Sequence, residues 1–136
     1  MSSISTIALS GMNAAARSLQ VSASNIANAG STGALPGANG TVPAGAPQAY
    51  APLDLVQTAS AGGGTQTSVT TASPSYVATS DPTAPFANQD GLVAAPNVDL
   101  AQQLVGTLVA KYSFAANAKV LQAADSMTQS LLNITA

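Results

Sequence analysis

The sequence predicts a mainly α protein: two long N- and C-terminal helices pairing as a coiled-coil-like core, with a small irregular β insertion between them. Three observations predict this. Residues 30–96 hold every proline, and every glycine except Gly11 and Gly106. Both flanking segments repeat apolar residues at helical spacing. Only 6% of the residues are charged, against roughly 25% in an ordinary soluble domain. Pro and Gly disfavour helix interiors, so the ends can be long helices and the middle cannot. The chain therefore divides into residues 1–29, 30–96 and 97–136.

In the first segment Leu9, Met12, Ala16, Leu19, Ala23 and Ile26 follow one another at steps of three and four residues. That heptad spacing keeps one stripe facing a partner helix. Ala8, Gly11, Ala15 and Ser22 lie beside it and permit close approach of another helix. Ser2, Ser3 and Ser5 are the candidate N-caps. Asn28-Ala29-Gly30 is the predicted stop, with Gly30 in the left-handed conformation.

The middle is partly low-complexity. Residues 30–47 are nearly all Gly, Ala, Pro, Ser, Thr and Asn, and Gly62-Gly63-Gly64 repeats the theme. Both read as flexible loop. Tyr50 to Thr58, Gln66 to Thr71 and Ser75 to Thr79 are β-prone runs that predict a hairpin or three-strand patch.

Pro96-Asn97-Val98-Asp99 reads as the start of the last helix, with Asn97 or Asp99 capping free N–H groups. A stripe then runs Val98, Ala101, Val105, Leu108, Tyr112, Ala116, Val120, Ala123, Met127, Leu131 and Ile134. Its mean step is the 3.6-residue period of an α-helix. Phe114, Ala118 and Leu121 fall off the stripe, so this helix calls for more than one packing partner. It would be about 55–60 Å long, too long for the first helix to cover.

Composition excludes several functions. Three basic residues against five acidic ones give a net charge of −2. So few cations cannot neutralise a nucleic-acid backbone or hold an anionic membrane, so neither nucleic acid nor lipid is expected as a direct partner. Cys, His and Glu are absent, which removes the usual general base and metal ligands. A Ser or Tyr nucleophile would lack a base to activate it. No catalytic, cofactor or metal residue is assigned. Asp81, Asp90 and Asp99 are nine residues apart, which suits turns and a helix cap better than a calcium loop. No basic leader with an apolar core opens the chain, so no cleaved signal peptide is expected.

The candidate assembly residues are Leu9, Met12, Leu19 and Ile26 on the first helix, and Leu108, Tyr112, Val120, Met127 and Leu131 on the second. Asn97, Val98 and Asp99 at the entry to the last helix belong with them. The seam admits two readings: a surface between subunits, or the contact between the chain's own helices. Asn25 and Asn28 also admit two: hydrogen bonds between subunits, or helix-end groups satisfied locally.

The run Ser22-Ala23-Ser24-Asn25-Ile26-Ala27-Asn28-Ala29 resembles the N-terminal signature of flagellar rod, hook and hook-associated proteins. Asp81-Pro82, Pro85-Phe86-Ala87-Asn88, Asp90-Gly91-Leu92-Val93 and Pro96-Asn97-Val98-Asp99 resemble the lead-in to the last helix of the basal-body rod proteins of the FlgC, proximal-rod type. The following helix, with Tyr112, Asn117, Val120-Leu121 and Met127, is similar to that family's. The resemblance covers about residues 7–30 and 76–134. It departs at residues 30–49, which are uncharged where the family carries a charged, Tyr-containing turn.

The resemblance implies a structural subunit of the bacterial flagellum, not an enzyme. Such a subunit polymerises in the rod through its terminal helices, on the periplasmic side, and transmits torque. It is exported unfolded by the flagellar type III apparatus without a cleaved signal, and its partners are copies of itself and other rod subunits. Another axial protein is the nearest alternative. A small secreted Ala-rich helical effector is a further one, but it would need a charged amphipathic face.

Overall fold

A computed structural model describes residues 2–37 and 39–134, leaving aside the Ser2 side chain. The order is α1 (Ser2–Ala27), β1 (Leu53–Ala59), β2 (Thr65–Thr71), β3 (Tyr76–Ser80), β4 (Leu92–Pro96) and α2 (Leu100–Ile134). The two terminal helices are as predicted. Of the serines offered as N-caps, Ser3 and Ser5 lie inside α1 instead, because the helix already begins at Ser2; the Ser2 side chain is outside the described residues.

The end of α1 is also built differently. Gly30 is not among the glycines with positive φ. The chain leaves the helix by tightening: Ala29 N–H donates to Ile26 O at 3.3 Å and Ser31 N–H to Asn28 O at 3.0 Å. These three-residue turns take up orphan carbonyls that a left-handed glycine would otherwise serve. Asn28 Nδ2 adds a bond to Ser24 O at 2.9 Å.

β1 and β2 form a two-stranded sheet. Ser60 N–H donates to Gly64 O and Ala72 N–H to Pro52 O, so the strands run antiparallel and are closed at both ends. β3 and β4 pair antiparallel from Tyr76↔Pro96 to Ser80↔Leu92. β4 lies in the stretch read only as a lead-in to the last helix. Asn97 N–H donates to Ser75 O and Asp81 N–H to Gly91 O, so alternation makes Tyr76↔Pro96 a pair that exchanges no backbone bond. Proline's missing N–H therefore costs this sheet nothing. Asn88 Oδ1 closes the intervening loop by accepting from Asp90 N–H at 3.0 Å and Leu92 N–H at 2.8 Å.

Contacts group the chain into two units. One comprises residues 1–22, 55–69 and 104–136; the other comprises residues 23–54 and 70–103. In the first unit Gly11 sits against the Asn117 side chain and Gly106 against Ser22 Oγ. Early α1 thus meets late α2, and the two helices run antiparallel here. The buried positions are Ala8, Ala14, Ala15, Val21, Ser22, Ala110 and Ala124. Thr65 N–H donates to Ser10 Oγ at 3.1 Å, which fastens the β2 end of the hairpin turn to α1. Gly64, at φ +88°, lies so close to Ser10 Oγ that no side chain fits.

In the second unit Gly33 and Ala94 exchange backbone bonds, both 2.9 Å, in an isolated antiparallel bridge. Ala34 N–H donates to Pro47 O and Tyr50 N–H to Ser31 O. The Gly/Ala/Pro run is therefore hydrogen-bonded alongside β4 rather than a bare loop. An added Cβ on Gly33 would collide with Ala49 N and with Pro47 O; that close approach is why glycine stands there. Val93 and Asn25 are the largest fully buried side chains, each 1% exposed.

Candidate assembly surface

Two stripes run along each terminal helix. On α1 the small residues Ala8, Gly11, Ala15, Ser18, Ser22 and Asn25 are buried or half-buried. On α2 Gly106, Ala110, Asn117, Leu121, Ala124 and Thr128 are buried or half-buried, with Leu121 the one large apolar side chain in that stripe. These are the inward faces. Small side chains leave space for the opposite helix, and Gly11 shows how it is used: a Cβ there would be 2.5 Å from Asn117 Oδ1.

Most other large apolar residues face elsewhere. Leu9, Leu19, Val120 and Met127 are exposed, as are Leu108 at 54%, Leu131 at 52% and Tyr112 at 68%. Met12, Ile26 and Val98 are half-buried. As core of the isolated chain, the predicted seams are thus corrected: the contact between the chain's own helices uses the adjacent small-residue stripes. Residues outside the predicted seams join the exposed set, notably Ile4, Ile7, Leu104, Val109 and Leu132. The signal for Leu104 and Val109 was present, since each lies four residues from Leu108 or Val105 on α2.

Asn25 resolves differently from the seams. Its Nδ2 donates to Leu53 O at 2.9 Å, while its Oδ1 accepts from Leu53 N–H at 2.9 Å and from the Tyr50 hydroxyl at 3.0 Å. Ser24 Oγ lies 3.0 Å from the same hydroxyl. The amide thus acts as a peptide group, supplying β1 with the rung that a neighbouring strand would give. Asn28 too is satisfied within α1. Asn28 is thus satisfied locally, whereas Asn25 is satisfied within the chain by residues 25 and 28 positions away. Tyr50 and Leu53, the partners of Asn25, carry no motif of their own in the sequence.

At the entry to α2 the two candidate caps divide the work. Asp99 Oδ1 accepts from Gln102 N–H at 3.0 Å, the N-cap bond. Asn97 instead donates its Nδ2 to Pro74 O at 3.1 Å and holds the β3–β4 pair to the helix start. Arg17, Lys111 and Lys119 are exposed on the helices. Arg17 donates to Gln20 Oε1 and Lys119 to Gln122 Oε1. Among the described residues no helix is long and apolar enough to cross a membrane, and no three acidic residues gather as a metal site.

Residues 89–134, which carry β4, the Asp99 cap and the whole of α2, match the family described as the C-terminal region of flagellar basal body rod FlgEFG proteins. Flagellar basal-body rod protein FlgC from Salmonella typhimurium (strain LT2) is 34% identical to this chain over 128 residues, spanning 94% of the chain and 92% of that protein. FlgC from Salmonella typhi matches to the same extent. The chain belongs to the FlgC family of flagellar basal-body rod proteins. FlgC is a structural family, not an enzyme family. The flagellar resemblance read from Ser22–Ala29 and Asp81–Asp99 is thereby established, and the exposed helix faces become the natural candidates for its work.

Proposed function

We propose that this chain is a subunit of the proximal rod of the flagellar basal body, and that it polymerises through the outward faces of α1 and α2. One observation carries the reading: the largest fully buried side chains are Val93 and Asn25, while most of the large apolar residues of the helices are exposed. A soluble chain normally buries its leucines and valines first. Each such side chain contributes roughly 1.5–3 kcal/mol when it is taken out of water. Association costs about 4–15 kcal/mol in lost freedom, so several must be buried together. Leu108, Tyr112, Val120, Met127 and Leu131, with Leu9 and Leu19, supply that number in a joint with copies of this chain and with other rod subunits.

In this reading α1 and α2 pair as a coiled-coil-like core whose outward faces are covered only in the polymer, and the stiffness of that core transmits torque. The chain reaches the rod through the type III export apparatus and stands on the periplasmic side. The test is deletion of the coding region, followed by complementation with the intact chain or with a Leu108→Ser/Leu131→Ser variant. The intact chain restores swimming and the variant does not. Intact flagella in the deletion strain would defeat the proposal.

A further inference from the structure

The charges of this chain are sorted. Arg17, Lys111 and Lys119 all belong to the unit of residues 1–22, 55–69 and 104–136, with Asp125 as its one acid. The unit of residues 23–54 and 70–103 carries Asp54, Asp81, Asp90 and Asp99 and no base. The formal charges are +2 and −4, together the chain's −2. The three cations are exposed on the same helices that expose Leu108, Tyr112 and Val120. Among the acids, Asp99 caps α2 and Asp81 holds its own turn through Thr83. Asp54 on β1 and Asp90 in the β3–β4 loop are exposed, and among the described residues no other side chain bonds their carboxylates.

We propose that the occupant of the basic, apolar helix face is a second copy of this chain, presenting its acidic unit with Asp54 and Asp90. The proposal rests on the assembly reading above and adds which surface meets which. Charge argues for this occupant. Helix face against helix face sets cation against cation, and acidic unit against acidic unit sets carboxylate against carboxylate; like charges brought together oppose pairing. Only the unlike pairing is complementary, and every copy carries both halves. A joint between different patches of identical chains is heterologous, and a heterologous joint that does not close gives an open helical polymer. Apolar burial provides the strength of such a joint, and the charges set its direction.

Sedimentation velocity of the full chain, over a concentration series at low and high salt, tests this. The intact chain associates, and raising salt weakens association because exposed charges are screened. Lys111→Asp/Lys119→Asp and, separately, Asp54→Lys/Asp90→Lys each weaken self-association, by about tenfold or more given the size of surface charge pairs. Mixing the two variants restores association, because every joint in an alternating polymer is then complementary. Circular dichroism should show both variants folded like the parent, since all four positions are exposed.

Association that ignores salt and both reversals but is lost in Leu108→Ser would overturn the charge pairing and leave the assembly reading standing. A mixture no tighter than its components, or a closed dimer of fixed size, would overturn it too. So would association only with a different axial protein. A chain that stays monomeric in every arm and binds no rod subunit would overturn both.

Discussion

Replacing Asn25 with alanine removes three hydrogen bonds at once, those to Leu53 N–H, Leu53 O and the Tyr50 hydroxyl. A hydrogen bond contributes about 0.5–1.5 kcal/mol net, and a buried partner left without one costs roughly 1–3 kcal/mol. Asn25 is 1% exposed, while its partners Tyr50 and Leu53 are half-buried. A loss of about 3 kcal/mol is the reasonable central value, roughly 100-fold in the equilibrium between closed and open states. Amide hydrogen exchange at Leu53 reads this directly. Its exchange should quicken about 100-fold in Asn25→Ala, while Asn28→Ala, which loses one half-buried bond to Ser24 O, shifts stability by about 1 kcal/mol or less. Leu53 exchange within twofold of the parent in Asn25→Ala would refute the view that this amide serves as the outer rung of β1.

Gly33→Ala forces a methyl group into the backbone of residues 47–49 and should cost about 1–3 kcal/mol, or more if the segment cannot shift, read as a lower urea midpoint. Asp99→Ala removes the bond to Gln102 N–H and should cost about 1 kcal/mol, seen as an earlier loss of helical circular dichroism on heating. Tyr50→Phe keeps the ring and deletes the hydroxyl shared by Asn25 and Ser24; a loss of about 1 kcal/mol is expected in the same melts. Leu131→Ser changes an exposed position and should leave the isolated chain's stability within about 0.5 kcal/mol, while weakening association in sedimentation.

Both terminal helices were legible because exclusion of Pro and Gly, together with periodic apolar spacing, acts locally and needs no partner. The Asp99 cap was legible for the same reason, since an N-cap acts within four residues. The orientation of the helices was not. A heptad stripe marks a face that wants burial, but it does not say whether that burial lies inside the chain or beyond it. Here Ala8, Gly11, Ala15 and Ser22 won the internal contact, where Gly11 makes space for the Asn117 side chain and Gly106 for Ser22 Oγ. The role of Asn25 was only half legible. Its position in Ser22–Ala29 marked it as special, but its partners lie 25 and 28 residues away. Residues 30–47 misled because composition reports the cost of ordering a backbone and not the bonds that offset it. Gly33 supplies such bonds by running beside β4.

The small-residue contact between α1 and α2 has a thermal consequence. Alanine, glycine and serine carry little hydrocarbon, so melting the isolated chain exposes little new oily surface and its heat-capacity increment should be modest for its length. The leucines, valines and tyrosine on the outside meet their heat-capacity change when neighbours cover them, and association should then show a strongly negative increment. Hydrophobic attraction weakens on cooling. Chilling should therefore loosen joints between copies well before it disturbs the fold of any one of them.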